Sequence, residues 1–142
     1  MKIFLDTSSL FKLYHREADT DIIEKIFSKY NVTNVYLSEI TKVEFTSTIW
    51  KKVRTKEITE EVAKTTLALF DIDLIKYTFI VSNSLLLEQA RMLTSKYRLN
   101  GLRTLDSIQL SSAITLKSEV ELFVTSDKLL KSLLAIEGLT TL

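Results

Sequence analysis

Short apolar runs, none longer than five residues, punctuate this chain and are held apart by much longer stretches of helical spacing. The runs are Ile3–Leu5, Val35–Leu37, Tyr77–Val81, Leu122–Val124 and a stretch near Leu139–Leu142. Each is brief and rich in β-branched or aromatic residues, which suits buried strands. Asp21 with Glu24 has the spacing of a capping box and opens a helix through about Lys29. Ser38 is placed to cap a helix running to about Arg54, and Thr59, ahead of Glu60 and Glu61, one to about Leu69. Asn83 or Ser84 starts a further helix to about Tyr97, and Thr104 another to about Lys117. Strands that alternate with helices call for an α/β layer fold with a mostly parallel sheet and far more helix than strand.

Nothing divides the chain. It has no Pro, only Gly101 and Gly138, no repeat and no change of composition, so residues 1–142 read as one domain. A chain of 142 residues buries roughly two thirds of its unfolded surface and needs no disulfide. It has no Cys, which suits a reducing compartment without proving one. Thiolate zinc sites, iron–sulfur clusters and cysteine nucleophiles are excluded. The only His, His15, argues against an imidazole zinc site and against a Ser-His-Asp triad. His15 itself, beside Arg16 and Glu17, reads as a surface residue near a helix end. Met1 runs straight into the first apolar run, no signal peptide is visible, and no apolar stretch nears the ~20 residues that span a bilayer. The expectation is a soluble, cytoplasmic protein.

The net charge of +1 gives no sign of nucleic-acid binding. Lys51, Lys52, Arg54 and Lys56 form one basic group, and Arg91, Lys96, Arg98 and Arg103 another. Solvated helix ends are the favoured reading of both, since cations suit helix C-termini.

The acids are more telling. Asp6 follows the first strand run directly, and Asp127 follows the fourth after only Thr125 and Ser126. Ligands of open parallel sheets bind at the carboxyl ends of strands. Either Asp alone reads more readily as a helix cap. Glu44 falls on the stripe Ile40, Val43, Ser47 and Trp50 of its helix, and Asp106 lies one turn before Leu110, which makes an apolar face with Ala113 and Ile114. An acid on a core-facing stripe needs a partner. A salt bridge to Arg103 or Lys12 would serve, and so would a metal. If all four carboxylates converge within ~4 to 6 Å, each close pair repels by roughly 3 to 4 kcal/mol at an effective dielectric of 20. Divalent cations relieve that repulsion, and an all-oxygen site suits Mg²⁺ or Mn²⁺. Two such ions hydrolyse a phosphodiester without Cys or His.

Four segments carry a family resemblance. Asp6-Thr7-Ser8-Ser9-Leu10-Phe11-Lys12-Leu13-Tyr14 resembles the opening motif of PIN-domain proteins, especially the VapC-type toxins. Ser38-Glu39-Ile40-Thr41-Lys42-Val43-Glu44 resembles their second motif, Leu105 to Ala113 around Asp106 the third, and Phe123 to Leu130 around Asp127 the fourth. The resemblance implies a PIN-like α/β/α sandwich, with a mostly parallel sheet of four or five strands flanked by helices. It also implies a metal-dependent endoribonuclease using Mg²⁺ or Mn²⁺, with Asp6 and Asp106 as chief ligands and Glu44 and Asp127 completing the site. One of these acids, or a water it holds, would be the base, and Thr125 would orient a ligand or water. The implied partners are RNA, a small antitoxin encoded nearby and a second copy of the chain, with no membrane. No RNA-binding residue is singled out. Ser107 and Gln109 stand where many relatives have Ala and His, and Ser126 separates Thr125 from Asp127. These departures bear on substrate choice more than on catalysis.

Other features read as structural. Trp50 suits core packing or a dimer contact better than base stacking. Lys12 and Tyr14 read as a helix-surface cation and a half-buried aromatic as readily as substrate contacts. Leu85, Leu86 and Leu87, with Phe79–Val81, suggest a segment buried on several sides, and exposure there would mark a partner surface. Two other readings compete with a toxin: a PIN nuclease of RNA maturation or decay, and a silent module that binds RNA or protein. An aspartyl-phosphate phosphatase is disfavoured, because Ser8 stands where that chemistry wants a second acid.

Overall fold

The computed structural model describes residues 1–142. Four parallel strands, β1 (Lys2–Leu5), β2 (Asn34–Ser38), β3 (Tyr77–Ile80) and β4 (Leu122–Val124), form one sheet in the order β3-β2-β1-β4. The fifth expected strand is reduced to a single parallel bridge between Phe123 and Thr141. Seven helices complete the chain: α1 (Thr7–Phe11), α2 (Thr20–Lys29), α3 (Thr41–Arg54), α4 (Glu60–Asp73), α5 (Ser84–Lys96), α6 (Thr104–Thr115) and α7 (Lys128–Ile136).

β1, β4 and the second half of β2 are buried on both faces, so adjacent residues enter different cores, while the edge strand β3 is only partly covered. Phe4, Tyr36 and Phe123 join side chains of α5, α6 and α7. Ile3, Leu5, Leu37, Leu122 and Val124 join those of α1, α2, α3 and α4. This is the expected α/β/α sandwich. No helix is long and apolar enough to cross a membrane.

Several local expectations are corrected. Ser38 ends β2 instead of capping α3, and its buried hydroxyl accepts a hydrogen bond from Ser112 at 3.1 Å. Asp21 and Glu24 make no capping box. Both pair with Arg16, while α2 begins at Thr20. The buried line of α3 is Thr41, Phe45 and Ile49, and Val43 is 72% exposed. Apolar residues alone gave the wrong phase, because the core face of α3 includes a buried threonine. Trp50 packs at the margin of the second core, as the packing reading expects. His15 is half-buried, its ring against Phe11. Leu86 is buried, but Leu85 is 80% exposed, so one side of α5 faces solvent.

Tyr14 ties α1's end to α4. Its hydroxyl donates to Asp73 Oδ2 at 2.7 Å and lies 2.6 Å from the Tyr77 hydroxyl. Burial, then the bonds to Tyr77 and Asp73, pushes the Tyr14 hydroxyl well above the ordinary tyrosine value, and burial raises Tyr77 as well. Unfolded tyrosines ionise near pH 10, so the stability these groups contribute is intact below that pH and lost above it. Urea melts between pH 9 and 11 should show falling stability, with a shallower fall in Tyr14→Phe.

Candidate active site

Asp6 is the first residue past β1, and its amide bonds the Val124 carbonyl at the end of β4. Neighbouring strand ends therefore bring Asp6 beside the loop that carries Asp127. Asp6 is also the N-cap of α1: Oδ1 accepts from Ser9 N at 2.9 Å and from Ser8 Oγ at 2.8 Å. Oδ2 accepts from Thr125 Oγ1 at 2.6 Å. Asp127 caps α7 through Oδ1, which accepts from Leu130 N at 2.7 Å. The capping and functional readings of these two acids are thus compatible, because one oxygen suffices for a cap.

Thr125 joins the two acids. Its hydroxyl donates to Asp6 and accepts from the Asp127 amide at 3.0 Å. Asp106 lies in the first turn of α6, near enough for its carboxyl to be affected by both others. Gly101, in the left-handed conformation at φ 77°, turns the chain into that helix. Glu44 approaches Asp6 by way of Thr7. Its Oε1 accepts from Thr7 Oγ1 at 2.9 Å, and Thr7 adjoins Asp6 in the chain. Glu44, Ser8 and Ser126 share a cleft of about 290 Å³.

The electrostatics oppose leaving Asp6 and Asp106 as bare anions. Burial pushes the Asp6 carboxyl above the usual carboxylate value, even though Thr125, Ser9 and Ser8 all donate to it. Burial is also the largest cause of the raised value at Asp106, followed by the like charge of Asp127. Arg103 works in the opposite direction, and Asp6 adds a further increase. A divalent cation suits such a donor set, which is all oxygen and short of positive charge. The side chains are neighbours without forming a closed cage: no three acids stand close enough together to hold an ion as they are.

The sequence profile of the PIN domain family matches residues 3–133. The chain belongs to the PIN domain family. This PIN domain is similar in structure to the Mycobacterium tuberculosis toxin VapC20, which cleaves the sarcin-ricin loop. The TM-score is 0.69 at 17% identity, over 92% of this chain and 94% of that one. It is also similar to VapBC2 from Rickettsia felis, whose crystal structure holds a DNA fragment from their promoter. There the TM-score is 0.67 at 16% identity, over 100% of this chain and 98% of that one. At such identities the likeness describes the fold. No curated protein sequence matches the chain.

Two residues of this PIN domain have a different place from the one expected. Lys12 is no surface cation: it is 6% exposed, donates to Ser126 Oγ and pairs with Asp19. The bond to Lys12 holds the Asp19 carboxyl below its usual value. Lys12 thereby fastens the Ser126 loop to α1, and Ser126 N in turn donates to Ser8 Oγ at 3.2 Å. It bridges to neither Glu44 nor Asp106. Gln109 was expected to bear on substrate choice. It is buried, and its Nε2 lies 2.8 Å from Glu44 Oε1. A polar residue on the apolar face of α6 was the available signal, but its partner lies 65 positions earlier in the chain.

Proposed function

We propose that this PIN domain is a metal-dependent endoribonuclease and the toxin of a toxin–antitoxin pair. The observation that carries this reading is the group Asp6, Asp106 and Asp127 at the carboxyl edge of a parallel sheet, where burial acts against the ionised forms of Asp6 and Asp106 and the charges of Asp127 and Asp6 act further against that of Asp106. Together with Glu44 they would hold Mg²⁺ or Mn²⁺, which supplies Lewis acidity for attack of water on a phosphodiester and charge for the leaving oxygen. The protein groups orient the acids. Thr125 fixes Asp6 Oδ2, the α7 cap fixes Asp127, and Arg103 favours the ionised form of Asp106. The RNA-cleaving activity of VapC20 is in keeping with this reading. The expected protein partners are a small antitoxin and a second copy of the chain. Both need apolar surface, and Val81, Leu85 and Met92 are each at least 60% exposed.

The test is cleavage of single-stranded and hairpin RNA by the full chain, with Mn²⁺ and with chelator. Cleavage should require Mn²⁺ and disappear in Asp6→Asn. A silent binding module would instead leave RNA intact and show no thermal shift with Mn²⁺.

A further inference from the structure

Gln109 sits one helical turn after Asp106 on α6 and is 3% exposed. Its Nε2 is 2.8 Å from Glu44 Oε1 and 3.1 Å from both Thr7 Oγ1 and Thr41 Oγ1. Its own carbonyl, Oε1, is buried with no hydrogen-bond partner. A buried orphan acceptor is unfavourable, and turning the amide over would give Oε1 the hydroxyls of Thr7 and Thr41 while leaving the NH2 group at the unpartnered position. The same rotation would put a carbonyl oxygen 2.8 Å from the Glu44 carboxylate in place of a donor. The carboxylate therefore dictates the orientation of the amide, and the stranded carbonyl is the consequence. Simple core filling requires neither, since an apolar side chain of the same size would occupy the space without an unpaired atom.

The acceptor side is equally specific. Both donors to Glu44, Gln109 Nε2 and Thr7 Oγ1, bond the same oxygen, Oε1. A carboxylate oxygen has two lone pairs, so Oε1 is saturated by protein groups and Oε2 receives none. We infer that Gln109 is a positioning residue which, with Thr7, locks Glu44 Oε1 and leaves Oε2 as the single oxygen available to a divalent cation. This rests on Glu44 being a metal ligand. α6 then serves the site twice, through Asp106 directly and through Gln109 by way of Glu44.

The experiment is Mn²⁺ binding, read from the electron paramagnetic resonance signal of free Mn²⁺. It compares the full chain with Gln109→Met, Glu44→Gln and the double variant, each checked for folding by thermal melting. Methionine keeps the length of the side chain and removes the donor. Loss of an outer-shell partner typically weakens metal binding by about 10–100-fold, and Gln109→Met should fall in that range. In the Glu44→Gln background the same change should add nothing, because the group it acts through is gone. Wild-type affinity in Gln109→Met, or a penalty of equal size in both backgrounds, would overturn the inference and leave Glu44 a ligand. Wild-type affinity in Glu44→Gln would overturn the ligand assignment itself. Should Gln109→Met fail to fold, Thr7→Val removes the other donor to Oε1 and carries the same cycle.

Discussion

Asp106→Asn should abolish metal-dependent RNA cleavage and, in metal-free solution, raise the melting temperature. The two effects have one cause. The Asp106 carboxyl is pushed above its ordinary value by burial and by the nearby Asp127 and Asp6. A carboxyl whose value is raised on folding contributes stability below its unfolded value, 3.8, and loses that contribution as pH rises through the folded one. At neutral pH the ionised group therefore weighs against the fold. Asparagine keeps the shape and removes the charge, at the cost of the favourable field from Arg103. A rise of about 2–4 °C corresponds to roughly 1 kcal/mol in a chain of this size. Mn²⁺ at a hundred times its dissociation constant should stabilise the unsubstituted protein by about 2.7 kcal/mol, and that increment should vanish in the variant. Cleavage should fall by more than the 10–100-fold typical of an outer-shell loss. Paired melts with Mn²⁺ and with chelator decide it. A variant that melts lower without metal yet still responds fully to Mn²⁺ would remove Asp106 from the site.

The strands and the edge that collects the acids could be read from the chain because they depend on local pattern. Ile3–Leu5 and Leu122–Val124 are continuous apolar runs, buried on both faces, and Asp6 and Asp127 stand at their ends. The caps at Thr59 and Asn83 were equally local and hold, with bonds to Val62 N and Leu86 N. What escaped depends on partners distant in sequence. Ser38 has a capping residue's chemistry, but pairing with Ile80 of β3 keeps it in the sheet and Ser112 donates to its hydroxyl. The phase of α3 was hidden because Thr41 is wholly buried beside Thr7 and Gln109. The burial of Lys12 depends on Ser126, 114 positions away. Leu85 looked like core because composition cannot distinguish an apolar side chain that is covered from one that awaits cover.

Phe45→Ala should be the most destabilising single change in the domain, and it should lower cleavage by more than unfolding explains. Phe45 is wholly buried, its ring centroid 4.2 Å from that of Phe70, 5.2 Å from Tyr14 and 5.6 Å from Phe11. Truncating a buried Phe costs about 3–5 kcal/mol, a large part of the 5–15 kcal/mol that holds a domain folded. The melting temperature should fall by about 10 °C or more. Phe45 also adjoins Glu44, so α3 cannot settle toward the cavity without carrying that carboxylate away from Thr7 and Gln109, whose bonds span 2.9 and 2.8 Å. Catalytic geometry tolerates less displacement than the fold does, since a misplacement of about 1 Å can cost 10²-fold in rate. Phe45→Leu separates the two effects. It restores most of the lost volume at a cost of about 1.5 kcal/mol or less, which should return most of the melting temperature. Activity per folded molecule, measured well below each melting point, should follow how closely α3 regains its seat. A Phe45→Ala protein that melts within a few degrees of the original, with cleavage intact, would mean that the aromatic cluster neither carries the fold nor sets the position of Glu44.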